Sequence, residues 1–170
     1  MLRLDLARLD RERSLQIEAR IPPDDPLWED LEVVFVGPVE VRARASWTGS
    51  GEVVVRGTLR ALLHQECRRC LEPVPVTLSE EITLVFLPAT EPGMEDNGDT
   101  RLFEESAAEL DLGQAVREEI ILAIDPYVVC RPECKGLCPR CGTNLNEETC
   151  HCSSEEPDPR WDALRALKKE

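Results

Sequence analysis

The chain of 170 residues is long enough for one domain with a hydrophobic core, or one domain plus a small appendage. Its formal net charge of −14 argues against a general nucleic-acid-binding surface, because the phosphate backbone would repel such a protein. No apolar run approaches the roughly 20 residues that cross a bilayer, and the charged N-terminus carries no secretory signal. The sequence therefore predicts a soluble, cytoplasmic protein that does not bind membranes.

Alternation of apolar and polar residues predicts β-strands along the first half of the chain. Residues 1–11 mix leucine with charge and fit either a strand or a short helix. The segments with regular alternation are 14–21, 38–47, 52–63 and 75–87. The second and third of them flank the short glycine-rich turn 48–51, which is typical of a hairpin. We therefore expect an antiparallel sheet or a partly open barrel of about five strands.

Helices on this sheet complete a predicted α+β fold. The acidic residues 90–110 predict a solvated loop, which we favour over a binding tail for basic proteins. An apolar stripe predicts a helix over 111–125 that packs on the sheet, with Asp111 as its N-cap. A C-terminal helix is expected to dock Trp161 on the protein's own body. The predicted domains are a β-rich body over 1–126, a cysteine-rich segment over 127–153 and the docking helix over 154–170.

The cysteines are the most informative residues. Six of the eight lie between Cys130 and Cys152, and the other two form a distant C-x2-C pair. Such spacings permit four thiolates at about 2.3 Å from a tetrahedral Zn²⁺ in a zinc ribbon-like segment. We expect two metal sites, one formed by Cys138, Cys141, Cys150 and Cys152 and the other by Cys67, Cys70, Cys130 and Cys134. A partition that groups Cys130, Cys134, Cys138 and Cys141 stays open.

Zn²⁺ is favoured over an iron–sulfur cluster and over disulfides. Disulfide-rich domains are usually small and secreted, whereas clustered cysteines in a reducing cytosol more often hold metal. A catalytic thiol is disfavoured because neither His64 nor His151 is marked as the base of a Cys–His pair. His151 could replace a cysteine as ligand, and His64 is expected to be an ordinary strand residue. With no phosphate loop, paired-carboxylate site or nucleophile motif visible, we expect a protein that is not an enzyme.

Three motifs carry a family resemblance. They are Cys67-x-Arg69-Cys70-Leu71, the block C-K-G-L-C-P-x-C-G-x-N-L-N over 134–146, and Asp158-Pro159-Arg160-Trp161-x-x-Leu164. The motifs and their order resemble the bacterial large ribosomal RNA subunit accumulation proteins, the YceD family, over most of the chain from about residue 30. The resemblance implies a non-enzymatic role in large-subunit biogenesis. The implied partner is the precursor large subunit, through its RNA or its proteins, and no small-molecule substrate is implied.

Basic residues lie between the cysteines and have two interpretations. A four-thiolate zinc site carries a formal charge of −2, which neighbouring cations can offset by donating to the sulfurs. The same cations could instead form a basic surface that contacts a phosphate backbone or another partner. The candidate contact residues are Arg68, Arg69, Lys135 and Arg140. Two alternative functions stay open, a zinc-stabilised protein-interaction module unrelated to RNA and a thiol redox protein.

Overall fold

An open, mostly antiparallel sheet forms the body of the protein. The computed structural model describes residues 2–31, 33–49, 51–90 and 100–152. The strands of the sheet are β2 (Ser14–Ile21), β3 (Val34–Phe35), β4 (Val39–Trp47), β5 (Val53–Glu66), β6 (Pro73–Ala89) and β7 (Thr100–Glu104). Their order is β2-β4-β5-β6-β7, with β3 beside the end of β5, and only the β6–β7 pair is parallel. The predicted sheet is therefore confirmed, as an open sheet rather than a barrel.

Two long hairpins determine where the first cysteine pair lies. β4 and β5 pair from Trp47 opposite Val53 onward, as the alternation predicted. Gly57 lets these strands approach closely, because a Cβ there would lie 2.2 Å from the carbonyl oxygen of Arg42. β5 and β6 then pair over their whole overlap, as far as Glu66 opposite Pro73. The turn that follows Glu66 extends beyond the sheet and contains the C-x2-C pair.

Two helices and a small second sheet cover the inner face. Residues 1–11, ambiguous in sequence, form both a strand and a helix: β1 (Arg3–Asp5) and α1 (Leu6–Glu12). β1 pairs with β8 (Glu109–Asp111), which leads into α2 (Gly113–Ala123). The core between these layers consists of aliphatic side chains with almost no exposed surface, among them Leu9, Leu59, Leu63, Leu84, Leu112 and Ile120.

The prediction of a loop over 90–110 was wrong for its second half, which contains β7 and β8. Among the acidic residues, Phe103 and Leu110 are buried in the main core, so a few apolar side chains are enough to fix the strands. Arg101 on β7 also pairs with Glu118 of α2 at 2.8 Å. Residues 91–99, in the first half of the predicted loop, lie outside the described part of the chain.

The helix predicted over 111–125 is present but shorter. Leu112, not Asp111, occupies the N-cap position, although the Asp111 carboxylate accepts a hydrogen bond from the Gly113 N–H at 2.8 Å. The predicted C-terminal helix over 154–170, with Trp161, lies outside the described residues. Within the described ranges, no helix is long and apolar enough to span a membrane.

Candidate metal centres

All eight cysteines gather in two groups of four, which correspond to the first of the two partitions. We name the groups site A (Cys67, Cys70, Cys130, Cys134) and site B (Cys138, Cys141, Cys150, Cys152). In each site the four Sγ atoms lie within 4.8 Å of one another. Neither His151 nor His64 belongs to either group, and His64 is an exposed residue of β5, as predicted.

Site A joins two distant parts of the chain. The turn between β5 and β6 supplies Cys67 and Cys70, and the segment after α2 supplies Cys130 and Cys134. The backbone brings the two parts together, because the Arg68 N–H donates to the carbonyl oxygen of Val128 at 3.0 Å. An apolar shell surrounds the sulfurs, formed by Val74, Val129 and Leu137. Site A is thus a buried cross-link between the sheet and the cysteine-rich segment.

Site B is local and more exposed. Its four cysteines come from one stretch of 15 residues, Cys138 to Cys152. Cys141 and Cys152 are exposed and Cys138 alone is buried. The Thr143 hydroxyl lies 3.2 Å from the sulfur of Cys141, and the N–H of Cys152 donates to the sulfur of Cys150 at 3.2 Å.

The two C-x2-C turns have the same backbone geometry. In site A the N–H of Leu71 donates to the carbonyl oxygen of Cys67, and the N–H of Cys67 donates to Glu72, both at 2.8 Å. In site B, the N–H of Gly142 donates to the carbonyl oxygen of Cys138 at 2.9 Å, and the N–H of Cys138 donates to the carbonyl oxygen of Thr143 at 2.8 Å. The residue after the second cysteine is left-handed in each turn, with φ of 61° at Leu71 and 73° at Gly142. Glycine adopts this conformation at Gly142 without steric cost, whereas Leu71 holds it with a side chain.

The sulfur separations fit a tetrahedral ion. Bonds of about 2.3 Å to zinc place the sulfurs of a regular tetrahedron about 3.8 Å apart. In site A, Cys67 and Cys134 are 3.9 Å apart and Cys70 and Cys130 are 3.6 Å apart. In site B, Cys150 lies 3.5 Å from Cys141 and 3.4 Å from Cys138. All eight cysteines are free rather than joined as disulfides, whose sulfurs would be about 2.05 Å apart.

The electrostatics of site A also favour a cation. Burial raises the pKa of Cys67, but N–H groups of Cys130, Cys70 and Arg69 outweigh it and bring that pKa to about 6. In the same site, burial and the neighbouring thiols raise the pKa of Cys130 to about 12. Four thiolates in one place repel one another, so complete ionisation requires a positive ion among them.

The segment that carries site B docks on the turn of site A. The N–H of Leu137 donates to the carbonyl oxygen of Arg69 at 2.9 Å. Gly136 makes this approach possible, since a Cβ at that position would lie 2.8 Å from the same oxygen. The Arg69 guanidinium donates to the carbonyl oxygens of Pro132 at 3.2 Å and Cys134 at 2.9 Å.

One further residue, not identified from the sequence, connects the two sites. The side-chain amide of Asn146 donates to the Cys134 sulfur at 3.4 Å, and its oxygen accepts from the Lys135 N–H at 2.9 Å. Such outer hydrogen bonds orient metal ligands. Asn146 lies in the N-L-N motif, but its spacing from the cysteines does not predict a role.

The four candidate contact residues have different surroundings. The guanidinium of Arg68 lies over the exposed ring of Tyr127, 4.3 Å from its centroid. Lys135 and Arg140 are exposed beside the ligands of sites A and B. The Arg69 guanidinium donates to the backbone carbonyl oxygens of Pro132 and Cys134, while its backbone N–H is the group that hydrogen-bonds to the Cys67 sulfur. Their contact with a partner stays a prediction.

The fold and the sites define a class of protein: a β-sheet body joined to a cysteine-rich segment, with two four-cysteine groups that could hold metal ions. One group is shared between the body and the segment, and the other lies within the segment. Residues 55–168, which include all eight cysteines, match the family model described as large ribosomal RNA subunit accumulation protein YceD. The chain belongs to this family, as its motifs predicted.

Curated relatives agree with the family match. An uncharacterized protein of Mycobacterium tuberculosis is 32% identical over 167 residues, which cover 95% of this chain and 78% of the relative. The Arabidopsis thaliana protein named large ribosomal RNA subunit accumulation protein YCED homolog 1, chloroplastic, is 24% identical over 99% of this chain and 60% of its own length. The Zea mays protein of the same name is 30% identical over 60% of this chain and 44% of its own length. No solved structure matches the chain significantly.

Proposed function

We propose that the protein is a cytoplasmic, non-enzymatic factor that supports the accumulation of large-subunit ribosomal RNA by associating with the precursor large subunit. Membership of the YceD family carries this proposal. The name of the Arabidopsis relative, matched over nearly the whole of this chain, supports it. The cysteine groups lie inside the matched region, which ties the metal sites to the family fold.

The metal in both sites is proposed to be Zn²⁺ with a structural role. Four thiolates in tetrahedral geometry suit zinc, and the sulfur separations of 3.4–3.9 Å agree with it. A site closed by four cysteines leaves no ligand position for water or substrate, so the ion stabilises rather than catalyses. Cys67, Cys70, Cys130 and Cys134 would hold one ion, and Cys138, Cys141, Cys150 and Cys152 the other.

Metal analysis tests the sites directly. The purified protein is expected to contain two zinc ions per chain under reducing conditions. A variant with Cys138→Ser and Cys141→Ser should retain one ion, because site A shares no ligand with site B. Less than one zinc per chain in the wild type, together with titratable free thiols, would contradict the proposal and favour a thiol redox protein.

The ribosomal role is tested in cells in which the protein can be depleted. Tagged protein should sediment with immature large subunits, and depletion should lower large-subunit ribosomal RNA relative to that of the small subunit. Recovery of no ribosomal component at moderate salt, with an unchanged ratio of the two RNAs, would reject the assembly role.

A protein-interaction module unrelated to RNA is the second candidate function. The net charge of −14 and the engagement of Arg69 by backbone carbonyls favour it, since both weaken an RNA surface at the cysteine sites. Ribonuclease treatment before the pull-down distinguishes the two functions. An interaction module recovers its partners equally with and without ribonuclease, whereas a factor held on the particle by RNA loses them.

A further inference from the structure

The outer face of the sheet carries a basic surface that the metal sites do not include. Its central arginines, Arg42 and Arg44 on β4 and Arg56 and Arg60 on β5, are all exposed. The residues that alternate with them along the two strands are directed into the core, so the four side chains lie on the opposite, solvent-facing side. We name these four residues the arginine face.

Pairing between the strands concentrates this charge. Arg44 and Arg56 are direct partners across β4 and β5, which places their Cβ atoms about 5 Å apart. Arg42 lies opposite Thr58, and Arg60 lies opposite Glu40. Like charges in directly opposite positions destabilise a sheet, so stability alone does not explain the arrangement.

Most of the arginine face lacks acidic partners. Within the described ranges, no carboxylate lies within 4.0 Å of Arg44, Arg56 or Arg60, and Arg44 faces the neutral amide of Gln16. Arg42 alone approaches a carboxylate, Glu40, at 3.9 Å.

Carboxylates border the arginine face rather than neutralise it. Glu40 forms its shorter ion pair, 3.0 Å, with Arg20 on the edge strand β2. Glu18 lies opposite Arg42 on β2, and Glu81 lies opposite Thr58 on β6. The unpaired guanidinium groups are thus bounded by negative charge on two sides. On a protein of net charge −14, this local excess of positive charge stands out.

We propose that the arginine face binds the phosphate backbone of ribosomal RNA. The inference rests on the proposed function and specifies which surface meets the RNA of the precursor particle. Exposed guanidinium groups without carboxylate partners are suited to phosphate oxygens, which they bind in a bidentate manner. The positive charge of the four arginines matches a phosphate backbone better than a basic ribosomal protein. The acidic border would limit binding to RNA held in place by the particle, since it repels additional phosphates.

The test compares two variants of equal net charge. Arg44→Gln/Arg56→Gln removes the opposed pair, whereas Arg8→Gln/Arg11→Gln removes two exposed arginines of α1, the helix that buries Leu6 and Leu9. Binding of full-length protein to gradient-purified immature large subunits is measured between 50 and 200 mM salt. Because each phosphate contact contributes about 0.7–0.9 to the salt slope, the first variant should bind at least about threefold more weakly with a slope smaller by about 1.5. The second variant should match the wild type.

Thermal melts and ribonuclease complete the design. Removal of the opposed pair should leave the melting temperature unchanged or raise it, because it relieves repulsion between Arg44 and Arg56. Equal binding and equal salt slopes in all three proteins would overturn this inference alone. A lower melting temperature without weaker binding would mean that the arginines stabilise the fold, or pair with the chain's own acidic residues, and do not bind RNA. Binding that survives ribonuclease would indicate a protein partner instead of RNA. Absence of binding by the wild type would overturn the proposed function and this inference together.

Discussion

Sites A and B have the same kind of turn but different positions in the molecule. Both contain a C-x2-C turn that ends in a left-handed residue and is closed by a pair of backbone hydrogen bonds. In site A that turn is the end of the β5–β6 hairpin and meets two cysteines about 60 residues further along the chain. In site B all four cysteines lie within 15 residues. The same local geometry therefore joins two distant parts of the chain in site A and belongs to a short local loop in site B.

The difference has an energetic consequence. A metal ion that closes a long loop removes more chain entropy from the unfolded state than one that closes a short loop. Site A also has three of its four cysteines buried, whereas site B has one. We therefore expect site A to contribute to the stability of the whole protein and site B to that of its own segment.

The largest expected effect comes from Cys67→Ser. Loss of one ligand at site A should release the zinc ion proposed for that site and destabilise the protein by several kcal/mol, since metal-binding free energy in such sites is folding free energy. Urea denaturation followed through the sheet, together with zinc analysis of the folded protein, measures both quantities.

The matched variant is Cys141→Ser in site B. It should also lose one zinc ion but leave the denaturation midpoint of the sheet within the error of the wild type, because site B shares no ligand with the β5–β6 turn. Equal destabilisation by the two variants would show that the sites fold as one unit. Site B would then contribute to the stability of the whole protein as site A does.

An intermediate effect is expected at the two glycines beside the sites. Gly136 and Gly142 both have positive φ, 75° and 73°, but only Gly136 is in close contact with other atoms. Gly142→Ala should cost about 1 kcal/mol, the price of a left-handed residue with a side chain. Gly136→Ala should cost roughly 3 kcal/mol, because its Cβ would also collide with the carbonyl oxygen of Arg69, 2.8 Å away.

Denaturation of both alanine variants, with zinc release to a chelator as a second measurement, tests this difference. Gly136→Ala should release zinc from site A faster than the wild type does, since the docking of Leu137 on Arg69 is lost. Equal costs at the two glycines would mean that the segment can shift away from the turn without penalty.

The sequence predicted what depends on short-range pattern. The strand over Ser14–Ile21 agrees residue for residue with the period-two alternation, and the hairpin turn between β4 and β5 lies where glycine marked it. The cysteine spacings led to the two groups that the structure brings together, although they left a second partition open. The strand and the turn are each encoded within about ten residues of chain, whereas site A was predicted only by grouping the two cysteine pairs left over from site B.

Features that depend on long-range contact could not be predicted in this way. β7 pairs with β6 in parallel. The sequence gives little indication of this strand, because its buried residue Phe103 has few apolar neighbours and lies among acidic residues. Asn146 donates to the sulfur of Cys134 only because the chain folds back over that ligand. The arginine face depends on the register that places Arg44 opposite Arg56, which no pattern within either strand determines.

The smallest expected effect tests the turn geometry that the two sites share. Leu71 occupies in site A the position that Gly142 occupies in site B, with φ of 61° and 56% of its surface exposed. Leu71→Gly should relieve about 1–2 kcal/mol of left-handed strain, offset by about 0.4–1 kcal/mol from greater freedom of the unfolded chain. The net gain should lie between about 0 and 1.6 kcal/mol, or up to about 3–6 °C in melting temperature. Leu71→Ala is the control, because it removes the side chain but keeps the strain and should not stabilise. If both substitutions destabilise equally, the Leu71 side chain itself packs in the native state, and the two turns differ in more than the identity of one residue.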